Sequence, residues 1–121
     1  MSIQHYRELI VWQKALRLAK MCYQVTKAFL KEELFGMTIQ IRKSAASIPA
    51  NIAEGHGRAH TKEYLNHLSI ARGSLAELET HLILSREVEL LKESDCQACL
   101  SLTEEISRML SALRKSLESH L

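Results

Sequence analysis

The sequence is short of the residues that build sheets, sandwiches and disulfide scaffolds. It has one proline, four glycines, two Phe, three Tyr and one Trp in 121 residues, while Leu, Ala, Ile, Glu, Lys and Arg are plentiful. Strands draw on β-branched and aromatic side chains and their turns on glycine and proline, so this composition disfavours a sheet and favours helix. The three cysteines, Cys22, Cys96 and Cys99, are an odd number and do not look like the disulfide framework of a secreted domain. No apolar run approaches the roughly 18 residues that a membrane span requires. The opening residues, Met1-Ser2-Ile3-Gln4-His5-Tyr6-Arg7-Glu8, lack the basic segment and apolar stretch of an export signal, so a cytoplasmic protein with no membrane partner is expected.

What is present fits one domain spanning residues 1–121. A chain of this length with 46% hydrophobic residues buries roughly two-thirds of its unfolded surface around one core. The formal net charge of +2 says little about partners, but its distribution says more. Through Gly73 there are eleven Lys and Arg against five Glu, whereas Ser74 to Leu121 has five against nine acids. The first half is basic and the second acidic.

Apolar spacing predicts four helices. The first runs from about Tyr6 to Phe29 and carries two apolar rows at three- and four-residue intervals. Leu9, Trp12, Leu16, Ala19 and Tyr23 form the row expected to face inward. Val11, Ala15, Leu18, Cys22, Val25 and Phe29 form a second row, wider than one core requires, and are expected to face another subunit. The second helix covers about Glu32 to Ala53, its inward row being Leu34, Met37, Ile41, Ala45, Ile48 and Ile52. Pro49 lies inside it and predicts a kink or local break near Ala45 to Pro49. Gly55 is suited to a left-handed cap at its end. The third helix starts near Thr61 as N-cap and extends to about Val88 with the row Tyr64, Leu68, Ala71, Leu75, Leu78 and Leu82. Gly73 falls in its middle, where close approach of helix two through Ala45, Ala46, Ala50 and Ala53 is expected to offset the glycine's cost. Ser94-Asp95-Cys96-Gln97 announces a fourth helix capped by Ser94, with Cys99, Leu102, Ile106, Met109, Leu113 and Leu117 inward. Short connections make an antiparallel, up-down-up-down four-helix bundle the simplest all-α topology.

One stretch is more specific than any periodicity. Gln40-Ile41-Arg42-Lys43-Ser44-Ala45-Ala46-Ser47-Ile48-Pro49-Ala50-Asn51-Ile52-Ala53-Glu54-Gly55 closely resembles the hallmark of a four-helix-bundle family encoded in intervening sequences of bacterial large-subunit ribosomal RNA genes. Leu9 to Ala15 and Ile70 to Thr80 agree with it, so the match spans most of the chain. The family is similar to the accessory variability determinant of diversity-generating retroelements. One departure is Leu30, where relatives usually carry a proline after the phenylalanine corresponding to Phe29. The resemblance implies a homo-oligomer, a five-fold ring (a pentamer). In the retroelement branch it implies an accessory that binds nucleic acid and a reverse transcriptase; for the ribosomal-intron branch it implies no established activity.

Two basic sets are candidates for nucleic-acid contact. Gln13, Arg17, Lys20, Gln24, Lys27 and Lys31 fall on one side of helix one, and no acid interrupts that side. Such a cationic ridge can displace counterions from a phosphate backbone; the bland alternative is a solvated helix face. Arg42, Lys43, Arg58, Lys62 and Arg72 form the second set, although Arg42 or Arg72 could equally pair with Glu54 or Glu77.

Catalysis is not expected. Asn51 and Glu54 flank Ile52 and Ala53 next to Pro49 and read as structural, satisfying broken helical bonds, as do Pro49, Gly55 and Gly73 in their own ways. Cys96 and Cys99 form a CxxC without the strand-turn-helix setting of a redox motif or two further zinc ligands. His56 and His60 sit among glycines that break the helix needed to bring them together. No nucleophile–base pair, carboxylate pair, complete metal set or phosphate-cradling glycine loop is evident, so no cofactor is expected. The two function classes that remain are an oligomeric nucleic-acid-binding accessory and a protein-interaction scaffold in which charge steers the encounter.

Overall fold

The computed structural model describes residues 5–121; residues 1–4, the start of the segment read for an export signal, lie outside it. The described residues are all-helical, with no strand among them. Four long helices, α1 (Ile10–Thr26), α2 (Ile39–His56), α3 (Thr61–Glu87) and α4 (Glu93–Glu118), have 17, 18, 27 and 26 residues. Each packs against two others, α1 on α2 and α4, and α3 on α2 and α4. Side-chain pairs run in opposite order along neighbours: Ser47 meets Ser74 and Asn51 meets His67 between α2 and α3, while Glu79 meets Thr103 and Ser69 meets Arg114 between α3 and α4.

The core is aliphatic. Leu18, Ile41, Ile48, Ile52, Leu68, Leu78, Leu82, Ile106 and Leu110 have no solvent exposure and meet in one cluster. Burial of such a side chain contributes about 1.5–3 kcal/mol, enough in sum to hold four helices whose ends have few side-chain caps. The inward rows of the third and fourth helices are where their periodicity puts them, apart from the half-buried Tyr64, Met109, Leu113 and Leu117 at the rows' ends.

The two rows of α1 are exchanged relative to the expectation from spacing. Val11, Ala15, Leu18, Cys22 and Phe29, expected at a subunit interface, are buried in the core, and Val25 is half-buried against it. In the other row Leu16 and Tyr23 are exposed, Leu9 and Trp12 are half-buried and only Ala19 is buried. The reason is that α4 and α2 both present partners to the first set, as in the meeting of Cys22 with Cys99. Spacing is the same in both rows and cannot tell which one a neighbour will cover.

Other boundaries also move. Tyr6–Glu8 is a separate 3-10 turn and α1 ends at Thr26, so Lys31 lies in a second 3-10 turn, Lys31–Glu33. A wide turn at Leu34–Thr38 then leads into α2, and Leu34 is exposed. Within that turn Gly36 has non-helical angles (φ −112°, ψ −110°), whereas α2 continues unbroken through the buried Pro49. The local break expected near Ala45 to Pro49 is absent; the interruption falls at Gly36. His60, not Thr61, is the N-cap of α3, and Lys92, not Ser94, that of α4, neither with a side-chain cap bond. Glu93 and Asp95 in the first turn of α4 offset its positive end.

Two glycines trade roles. Gly55 is helical and lies inside α2, with no positive φ, so it is not a left-handed cap. A Cβ there would stand 2.8 Å from His67 Cβ, 3.0 Å from Tyr64 Cδ1 and 3.3 Å from the Tyr64 carbonyl. Gly55 is therefore a point of close contact between α2 and α3. Gly73, expected to be that point, faces open space with nothing within 4 Å of a Cβ. The left-handed position belongs to Glu89 (φ 65°), where the amides of Glu89 and Leu90 bond back to the Arg86 and Ser85 carbonyls at 3.0 and 2.8 Å and terminate α3.

Candidate nucleic-acid interface

On α1 the cationic side follows directly from the 100° advance per residue: it lies beyond the partly exposed apolar row, on the side away from the buried row. Arg17 and Lys20 on α1, Lys27 at its C-cap and Lys31 in the 3-10 turn that follows are exposed, and among the described residues none of them is in an ion pair. The α1 lysine that is paired, Lys14, lies off this side and meets Glu105 of α4 at 2.9 Å.

Between this ridge and α2 runs an apolar groove of about 850 Å³. Trp12, Leu16 and Tyr23 wall it, Ala46 and Ala50 form its floor with the buried Pro49, and Arg17 and Lys20 stand at its rim. The ridge is thus bordered by aromatic and aliphatic surface, which spacing alone assigns to the interior. The available signal was the row's own composition: it holds the helix's Trp and Tyr, while the buried row carries the small Ala15 and Cys22 where helices pack tightly.

The second basic set does not come together as one patch. Arg42 is taken by the end of α1: its Nε donates to Thr26 Oγ1 at 2.9 Å, its Nη2 to the Tyr23 carbonyl at 3.4 Å, and its guanidinium lies 4.8 Å from the Tyr23 ring centre. Neither Glu54 nor Glu77 pairs with it, and its donors are turned to α1, not to a phosphate. Lys43 is exposed beside it. Arg58 and Lys62 border a separate depression with Asn66 and His67, and Arg58 reaches Glu54 at 3.5 Å. Arg72 is exposed elsewhere on α3. From Arg42 to Arg58 the chain advances sixteen residues, about 24 Å at helical rise.

Asn51 and Glu54 join α2 to α3. Asn51 Nδ2 donates to the Ser47 carbonyl at 2.9 Å and to Ser47 Oγ at 3.1 Å, its Oδ1 lies 3.1 Å from His67 Nδ1, and Glu54 Oε2 is 3.8 Å from His67 Nε2. Ser47 Oγ in turn meets Ser74 Oγ at 2.8 Å. The roles are structural, but the partner is His67 and not a broken helix at Pro49. The cysteines are free and buried. A thiol hydrogen bond with Cys99, together with burial, holds Cys22 well above the ordinary thiol range, and burial pushes Cys96 up against the opposing pull of Arg86. The same bond lowers Cys99 against its burial; the buried, protonated Cys22 and Cys96 are poor nucleophiles. Among the described residues no group of three or more His, Cys, Asp and Glu is placed to hold a metal, and no helix is long and apolar enough to cross a membrane.

A helical bundle with a basic first helix and an open apolar groove is the class of protein that fold and surface define. The profile of the 23S rRNA-intervening sequence protein family matches residues 7–112, and the chain belongs to that family. It is also similar to a solved structure from Bacteroides thetaiotaomicron, described as a protein of unknown function from the S23 ribosomal protein family. That match has a TM-score of 0.79 and 27% identity, and covers 88% of this chain and 99% of the other. No curated protein matches the chain.

Proposed function

We infer that the protein is a non-enzymatic accessory that assembles with itself and holds nucleic acid against the basic side of α1. The observation that carries this reading is the set of exposed cations Arg17, Lys20, Lys27 and Lys31, in no ion pair among the described residues, with Arg17 and Lys20 at the rim of an uncovered apolar groove. Apolar surface of this kind invites a partner, and every added copy multiplies the positive charge offered to a polyanion. Lys43, and separately Arg58, Lys62 and Arg72, are auxiliary phosphate contacts; Arg42 is not. The family's resemblance to a retroelement accessory adds a reverse transcriptase as a candidate partner, and a cytoplasmic location fits both.

The test is binding of single- and double-stranded RNA across a salt series. The affinity falls steeply as salt rises, and Lys27→Ala, Lys31→Ala and Lys43→Ala together flatten the dependence, by roughly 0.7 in log–log slope on single strands and somewhat more on duplex for each phosphate no longer neutralised. An unchanged slope removes these lysines from the reading. Tight, salt-insensitive capture of one protein after nuclease treatment supports the scaffold alternative instead.

A further inference from the structure

Phe35 is the most exposed of the large apolar side chains, at 87%. It sits in the wide turn next to the non-helical Gly36, where the core does not cover it. With Leu34 and Ile39 it lines a hollow whose further lining includes Tyr23 of α1 and the exposed Lys43 of α2. The hollow measures about 430 Å³, within the range of about 300–1,000 Å³ typical of sites for small molecules. Arg42 also lines it but is committed to Tyr23, with its guanidinium 4.8 Å from the ring centre, and this cation–π contact fixes the tyrosine in place.

The hollow shares Tyr23 and Ala46 with the groove between α1 and α2, so the two form one track. No carboxylate lines either part, whereas Arg17, Lys20, Arg42 and Lys43 do. Lys31 adds an exposed cation four residues before Phe35. Glu32 and Glu33 lie between them in sequence but line neither part, and Glu33 accepts from the Met37 amide at 3.4 Å. Exposed ring faces among cations, with no acid between them, meet both halves of an unpaired nucleotide: the base needs a π-face and the phosphate a positive charge. A duplex offers only its phosphates to such a surface, because its base faces are already stacked on one another.

We propose that this hollow takes an unpaired base of a single-stranded nucleic acid, stacked on Phe35, with the flanking phosphates at Lys31 and Lys43. This rests on the nucleic-acid part of the function proposed above and names the form of nucleic acid that the surface selects. Ring faces meet the base and cations meet the phosphates, so the contact depends neither on base identity nor on a 2′-hydroxyl. From the hollow the acid-free track continues past Tyr23 toward Lys20 and Arg17 on α1.

The experiment measures binding of the full-length protein by fluorescence anisotropy to four labelled probes of equal length: a single-stranded RNA, the corresponding single-stranded DNA, an RNA duplex, and an abasic strand that keeps the phosphates and lacks the bases. Wild type binds the two single strands alike, and both more tightly than the duplex or the abasic strand. Phe35→Ala weakens binding to the single strands by roughly 5- to 150-fold, the effect of one stacked base, and leaves the salt slope and the affinity for the abasic strand unchanged. Phe35→Trp restores the affinity. The side chain is exposed, and an unchanged far-UV spectrum confirms folding of the variants. Equal binding of the single strands by Phe35→Ala and wild type, or an equal loss on the abasic strand, overturns the stacking contact while binding through charge stands. A change in the mass of Phe35→Ala by light scattering without nucleic acid also overturns it, since the ring then serves a protein contact. A wild-type protein that binds none of the four probes removes the nucleic-acid reading itself.

Discussion

Asn51 Oδ1 and His67 Nδ1 lie 3.1 Å apart across the α2–α3 interface, and the geometry determines which of them donates. The Asn51 amide nitrogen is committed to the Ser47 carbonyl, which only accepts, so Oδ1 is left to accept and His67 Nδ1 must carry a proton. The Nε2–H tautomer of the neutral ring is excluded, which nitrogen-15 NMR of the imidazole reads directly. Asn51→Ala leaves that N–H without its acceptor in a largely buried position and costs about 1–2 kcal/mol in urea denaturation. Combined with His67→Ala it costs less than the sum of the two single changes.

Gly55 and Gly73 respond to alanine in opposite directions. Gly55→Ala forces a methyl group to 2.8 Å from His67 Cβ and 3.3 Å from a backbone carbonyl, which cannot move aside. The expected loss is about 1–3 kcal/mol. Gly73→Ala meets nothing within 4 Å and gains about 1 kcal/mol from helix propensity alone. Thermal denaturation of the pair decides the matter; a stabilised Gly55→Ala would show that the two helices are not in close contact there.

The exchange of the α1 rows has a direct energetic signature. Leu18 has no exposure, and Leu18→Ala is expected to lose about 2–5 kcal/mol of chain stability. Leu16 is 48% exposed, and Leu16→Ala changes the stability of the isolated chain by no more than about 0.5 kcal/mol. Equal losses at both positions would place both rows inside.

Glu89 holds the left-handed turn that ends α3 although it has a Cβ (φ 65°). That conformation costs roughly 1–2 kcal/mol for a residue other than glycine, and glycine's extra freedom in the unfolded chain takes back about 0.4–1 kcal/mol. Glu89→Gly is therefore expected to stabilise by about 0.5–1 kcal/mol, seen as a higher urea midpoint at unchanged slope.

Alkaline pH weakens the fold through a buried thiol. Burial raises the pKa of Cys96 above the ordinary value of 9.0, whereas in the hydrogen-bonded pair of Cys22 and Cys99 the first is raised and the second lowered, so their effects oppose each other. As pH rises past 9.0 the unfolded chain releases the Cys96 proton while the folded chain keeps it, so the unfolded state binds fewer protons and stability falls. The contribution is complete below pH 9 and declines above it by up to about 1.4 kcal/mol per pH unit. Cys96→Ala flattens the decline between pH 9 and 10.5; an unaltered profile would assign it to other groups.

The sequence reveals the helices better than their neighbours. Leu68, Ala71, Leu75, Leu78 and Leu82 are all buried because a long helix repeats its pattern often enough to leave one inward face. On α1 two rows share that pattern, and only the position of α4, which the sequence does not encode locally, decides between them. The same holds for the glycines. Which one meets another helix depends on the crossing point, and for Gly55 that is set by Tyr64 and His67 on a different helix. Of the basic residues, Arg17 and Lys20 on α1 stay exposed as their spacing implies, whereas Arg42 is captured by carbonyl and hydroxyl groups at the end of a helix sixteen residues earlier in the chain.

The inequality of helix lengths grades the molecule from one end to the other. Lys14 and Cys22 of α1 meet Glu105 and Cys99 of α4, so the shorter helix runs out near Leu110 and the last turns of α4 continue past its start. No residue after Leu110 is fully buried. Amide protons in that stretch are expected to trade with deuterium through brief unwinding of the tip, long before those of Leu102 to Leu110, which must wait for the whole structure to open.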